Sequence, residues 1–120
     1  MQVHRSWSEI KARYAEDVPG LELRWMKDLV THLEASGKAD SLFGFTSMFD
    51  LVISQTPPTH PLMTPHLRIS PRADGMLEFR YVDTLNTEDQ WHRTVPGSNA
   101  VHRLELFFEQ LRWFGGDGGR

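Results

Sequence analysis

The side chains best suited to binding are two arginines, two carboxylates and a histidine, spaced to fall on one face of a β-sheet: Asp50, Arg68, Glu78, Arg80 and His92. Arginine presents a planar fork of donors that matches carboxylates, and it is favoured at the energetic centres of protein interfaces. An exposed sheet face of mixed charge is therefore predicted to bind a protein partner. The alternative is structural, because Asp50 or Glu78 could simply neutralise the arginines.

The histidines offer a second kind of chemistry. The sequence has six, none in the helical His-x-x-x-His arrangement of catalytic zinc sites: His4, His32, His60, His66, His92 and His102. His60 and His66 lie near a proline-rich loop, and His92 could approach them from a later strand. Three histidines with an open coordination position suffice to bind zinc. The alternative function is accordingly a small metal-dependent hydrolase that uses His60, His66 and His92.

The sequence supplies no other catalytic motif. It contains no Gly-x-Ser-x-Gly nucleophile elbow, phosphate-binding loop or dinucleotide fingerprint. With no cysteine there is also no thiol nucleophile. We assign no catalytic residue and no cofactor, and the residues favour a binding protein over an enzyme without deciding the question.

The proposed binding residues depend on the register of a hairpin between residues 65 and 82. Apolar and charged side chains alternate on both arms, the pattern of strands buried on one face. A two-residue loop would place Ile69 opposite Arg80 and mix the faces. A three-residue loop, Ala73 to Gly75, with Gly75 in the left-handed conformation, instead places Ile69 opposite Phe79. This register predicts that Arg68 lies opposite Arg80 on the outer side, an unfavourable pair unless neutralised.

Helices and further strands flank this hairpin. Ser6 to Glu9 has the spacing of a capping box, and a second amphipathic helix is predicted from Leu21 to Gly37. A strand is predicted over 48–54, followed by a proline-rich loop over 55–65. Another strand is predicted over 90–95. Its alternation places Arg93 on the core side, which is tolerable only if this strand is at a sheet edge. A last helix follows Ser98 or Asn99.

Strands and helices that do not alternate along the chain indicate the α+β class. We predict two layers: a four-stranded antiparallel meander with the N-terminal helices and the C-terminal helix packed on one face. Residues 1–114 would form a single α+β domain, and residues 115–120 a flexible glycine-rich tail.

Composition argues against some classes of binding partner. The net charge of −3, and a predicted outer face without aromatic residues, argue against a nucleic-acid binder. No apolar run approaches the roughly 20 residues of a membrane span, and residues 1–7 lack the apolar core of a signal peptide. Absence of cysteine suits a cytoplasmic protein. We expect a small adaptor or immunity-type inhibitor, with homodimer formation through an exposed edge at 48–54 as a further hypothesis.

Overall fold

The computed structural model describes residues 4–16, 18–20, 22–58 and 64–114. Within these ranges the chain has the α+β fold, with three α-helices and one five-stranded antiparallel sheet. The helices are α1 (Trp7–Arg13), α2 (Arg24–Ala35) and α3 (Ala100–Leu111). The strands are β1 (Phe43–Ser47), β2 (Asp50–Ser54), β3 (His66–Pro71), β4 (Met76–Val82) and β5 (Trp91–Pro96), and each pairs with its neighbours in chain order.

The prediction of four strands is wrong because the segment before Met48 forms a strand of its own. Residues 48 and 49 make a tight turn, in which Met48 adopts a left-handed φ of 58°. The Arg13 guanidinium donates to the Met48 carbonyl, and the Tyr14 hydroxyl donates to the Phe49 carbonyl at 2.9 Å. Contacts from the end of α1 thus stabilise this turn. The turn contains neither glycine nor asparagine, the residues that would have indicated it in the sequence.

This extra strand also corrects the predicted dimer edge. The strand over 50–54 pairs with β1 on one side and β3 on the other, so the segment 48–54 is not an exposed edge. The edge on this side of the sheet is β1 itself. There the backbone N–H of Arg5 donates to the Gly44 carbonyl at 2.8 Å, so the N-terminal segment covers part of this edge.

Gly44 explains how α1 reaches the sheet. A Cβ atom at this position would lie 2.7 Å from the Trp7 indole, so only glycine leaves room for the ring against β1. The indole N–H donates to the Ala39 carbonyl at 3.1 Å, which fixes the ring in this place. The same glycine lowers the strand propensity of the segment, which is why β1 was not predicted.

The hairpin has the predicted register. The backbone N–H of Arg72 donates to the Met76 carbonyl at 3.0 Å, which closes the three-residue loop, and Gly75 has a left-handed φ of 80°. Ile69 lies opposite Phe79, and Arg68 lies opposite Arg80. Both arms therefore direct their apolar side chains to one face and their arginines to the other, as predicted.

The core lies between that apolar face and the helices. Phe79 is fully buried, and its ring centroid lies 5.0 Å from that of Phe107 on α3. Buried side chains of α1, α2 and α3 contact the same cluster, which also includes Leu51, Ile53, Leu67, Ile69, Leu77 and Val95 from the strands. The helices thus pack on one side of the sheet, as predicted, and we call the opposite side the outer face.

Element ends agree with the sequence in part. Ser6 and Glu9 form the predicted capping box. The second helix begins at Arg24, whereas its predicted start, Leu21, lies outside the described residues. Gly37 follows the C-cap of this helix with a φ of 81°. Arg93 lies opposite Phe79 on the core side of β5, and β5 is a sheet edge, as that position required. The predicted tail at 115–120 lies outside the described residues.

Candidate functional site

The strand register places all five predicted binding residues on the outer face. One cross-strand row contains Phe45, Val52, Arg68, Arg80 and His92. The adjacent row contains Ser47, Asp50, Ser70, Glu78 and Thr94, because successive side chains of each strand alternate between faces. The arginines are therefore direct neighbours, with Asp50 and Glu78 one row away.

Asp50 bridges the two arginines. Arg68 donates through Nε to Asp50 Oδ2 at 2.7 Å, and Arg80 Nη2 lies 3.8 Å from the same oxygen. The Asp50 side chain is only 22% exposed, so this attraction is less screened than that of a fully exposed ion pair. One carboxylate therefore offsets the repulsion expected between the arginines across the ladder.

Arg80 is the less satisfied of the two arginines. Its side chain is 41% exposed, compared with 27% for Arg68, and its Asp50 contact is longer than a hydrogen bond. Its Nε atom is buried and finds no acceptor among the described residues. Glu78, the other carboxylate proposed to neutralise it, makes no ion pair within the part of the chain that the structure describes. Arg80 therefore retains donor capacity that Arg68 has used.

A surface groove of about 320 Å³ begins beside Arg80. Arg80 and His92, which are paired across β4 and β5, line it together with Tyr81, Val82, Gln90 and Trp91. Gln90 Oε1 accepts from the backbone N–H of Asp83 at 3.0 Å. The groove thus combines the polar side chains of Arg80, Gln90 and His92 with apolar surface from its other lining residues.

The two described histidines among the proposed zinc ligands, His66 and His92, differ in burial and lie on strands that are not adjacent. His66 is buried on β3 and its Nδ1 lies 2.9 Å from the Thr64 carbonyl, whereas His92 is exposed on β5 with Arg80 on the strand between them. His60 lies outside the described residues. In the described ranges no three His, Cys, Asp or Glu side chains form a group that could hold a metal.

The electrostatic surroundings of His66 also disfavour a cation. Burial lowers the pKa of His66, and the positive charges of Arg68 and Arg80 lower it further, against the opposing effect of the Thr64 carbonyl. The same positive charges that disfavour an imidazolium would repel a zinc ion. Burial and the two arginines therefore both act against a cation at His66.

Apolar groups share the outer face with these charges. The newly found β1 places Phe43 and Phe45 there, so the expectation that this face carries no aromatic residue is wrong. The Phe43 ring packs edge-on against His4 at 5.2 Å, and Val52 is buried although it is turned away from the main core. The outer face thus combines half-buried apolar side chains with an ion-pair cluster.

A second ionic cluster, on the helical side of the molecule, was not predicted. His32 Nε2 and Lys38 Nζ lie 2.7 Å and 2.6 Å from the two carboxylate oxygens of Glu105. The partners are separated by about 70 positions in sequence, so no local spacing could have revealed them. Their contacts join α3 to α2 and to the turn after it.

Comparisons of the chain with family models, with curated proteins and with solved structures found no match. The helices in the described part of the chain are too short or too polar to cross a membrane.

Proposed function

We propose that this chain is a small protein-binding protein, an adaptor or immunity-type inhibitor, that recognises its partner with the outer face of the sheet. The observation that carries this proposal is the asymmetry of the two faces. Core side chains from all three helices contact one face, whereas no helix or strand of the described ranges covers the cluster of Asp50, Arg68 and Arg80. Val52 and His66 on the outer face are buried, but the side chains of the cluster are 22% to 41% exposed and can therefore contact another protein.

The composition of the outer face supports a protein rather than a nucleic acid. Arg68 and Arg80 are balanced by Asp50 and Glu78, so these four side chains carry no net charge. A phosphate backbone is recognised by a surplus of basic groups. Aromatic and arginine side chains are instead enriched at protein interfaces. The absence of cysteine from the sequence supports a reducing, cytoplasmic setting for such a complex.

Site-specific crosslinking tests this proposal. A photoreactive p-benzoylphenylalanine would replace Ser70 or Thr94 on the outer face, or Thr31 of α2 and Gln110 of α3 as matched controls on exposed helical positions. After irradiation in extracts of the native cells, we expect one discrete heavier adduct from the outer-face positions and none from the controls. Adducts only from the helical positions, or none from any position, would contradict the proposal.

A further inference from the structure

The inference concerns which chemical group of the partner the outer face recognises, and it therefore rests on the proposed function. Arg68 is hydrogen-bonded to Asp50, but Arg80 makes no hydrogen bond with the described residues and keeps a 41% exposed side chain. An arginine carries five N–H donors and no acceptor. Arg80 is consequently the residue of this cluster best able to accept a new anionic partner.

The neighbours of Arg80 in the groove add further donors. His92 lies directly opposite on β5, within reach of the same small ligand, and its ring can donate an N–H. Because Gln90 Oε1 accepts the Asp83 backbone N–H, the amide nitrogen of Gln90 keeps both of its hydrogens available. A ligand that meets these three side chains gains most when it only accepts hydrogen bonds.

We propose that the groove lined by Arg80, Gln90 and His92 receives the carboxylate of a glutamate or aspartate side chain from the protein partner. A carboxylate supplies two acceptor oxygens and the negative charge that complements Arg80. Val82, which lines the same groove, offers an apolar contact for the methylene groups of that side chain. The volume of about 320 Å³ exceeds what a lone carboxylate needs, so residues flanking it on a polypeptide also find room.

A direct test uses the intact protein, labelled with ¹⁵N, and a short blocked peptide, Gly-Gly-Glu-Gly-Gly. We expect the NMR signals of the Arg80 Nε–H and the Gln90 side-chain amide to shift with increasing peptide, and the Gly-Gly-Gln-Gly-Gly peptide to leave them in place. Arg80→Gln should abolish the shift of the Gln90 signal, whereas Arg24→Gln, which removes an exposed arginine from α2, should not. An unshifted Gln90 signal in the wild-type protein would overturn the inference.

Two further arms separate the possible outcomes. Inorganic phosphate tests a free anion as the occupant: larger shifts with phosphate than with the glutamate peptide at equal concentration would overturn the assignment to a protein carboxylate. In the crosslinking experiment, Arg80→Gln combined with the photoreactive group at position 94 should reduce the adduct about tenfold or more, the effect of losing one charge-assisted hydrogen bond. An undiminished adduct would refute the carboxylate contact while supporting the proposed function. If the protein that carries the photoreactive group but retains Arg80 forms no adduct, the proposed function itself is refuted.

Discussion

His32 Nε2 lies 2.7 Å from Glu105 Oε2, a contact that joins α2 to α3 across 73 positions of sequence. The other oxygen of Glu105 accepts from Lys38 at 2.6 Å. Burial raises the pKa of Glu105, but the hydrogen bonds and charges of Lys38 and His32 outweigh this effect and hold the pKa below its usual 4.5. The ionised carboxylate is thus favoured by folding.

A depressed pKa implies a defined pH dependence. The stabilisation is present at pH values above the unfolded pKa, and it is lost as the pH falls through the lower folded pKa. Glu105→Gln should therefore lower the free energy of unfolding at pH 7 by about 1 kcal/mol and flatten its decline in the acidic range. Urea unfolding at a series of pH values measures this, with the exposed Glu109→Gln as control. Parallel pH profiles for Glu105→Gln and the wild-type protein would contradict the assigned role.

Asp50 is predicted to stabilise the outer face by holding two arginines. Asp50→Asn removes this charge and leaves Arg68 and Arg80 repelling each other, so we expect a loss of about 1–2 kcal/mol at low salt. Because salt screens this repulsion, the loss should shrink when ionic strength rises from about 0.02 to 0.5 M. Urea unfolding at both salt concentrations tests this, with Glu88→Gln at an exposed position as control. A loss independent of salt would instead point to altered packing.

Phe79 tests the inner side of the hairpin. The side chain is fully buried and packs against Phe107, so Phe79→Ala should cost about 3–5 kcal/mol through lost burial and the resulting cavity. The matched control is Leu85→Ala, because Leu85 is 74% exposed and its truncation should change stability by less than about 0.5 kcal/mol. Chemical denaturation compares the two variants. Equal effects would show that the face assignment is wrong.

Gly75 tests the loop that sets the register. A Cβ atom at this position would have no neighbouring atom within 4 Å, so the cost of an alanine arises from the φ of 80° rather than from crowding. Gly75→Ala should destabilise the protein by about 1–2 kcal/mol, and Gly75→Asn by less, because asparagine tolerates the left-handed conformation better. The midpoints of urea unfolding rank the three proteins. A neutral alanine variant would argue against the left-handed bulge.

Much of the hairpin could be predicted because its information is local. Alternation from Leu67 to Tyr81 and the single glycine of the loop together exclude the competing register. The strand at 43–47 could not be predicted in the same way, since Gly44 weakens it in isolation and only the packing of Trp7 explains why glycine is needed there. The Met48 turn likewise depends on Arg13, which lies 35 positions earlier.

The candidate site could likewise be predicted only in the part that depends on local sequence. Period-two alternation was sufficient to place Asp50, Arg68, Glu78, Arg80 and His92 on one face. It could not distinguish the arginine engaged by Asp50 from the one that remains available, because that depends on distances of 2.7 and 3.8 Å between side chains on different strands. The aromatic residues of this face were missed together with their strand.

Both edge strands of the described sheet, β1 and β5, have backbone groups that are already occupied or missing. On β1, the Arg5 backbone N–H occupies the Gly44 carbonyl. On β5, the Arg93 guanidinium donates to the His92 carbonyl at 2.7 Å, and Pro96, four residues after His92, has no N–H to offer. A sixth strand from another molecule would have to displace these groups before it could add to the ladder. Edge-to-edge association into fibrils is thereby disfavoured at both margins of the described sheet.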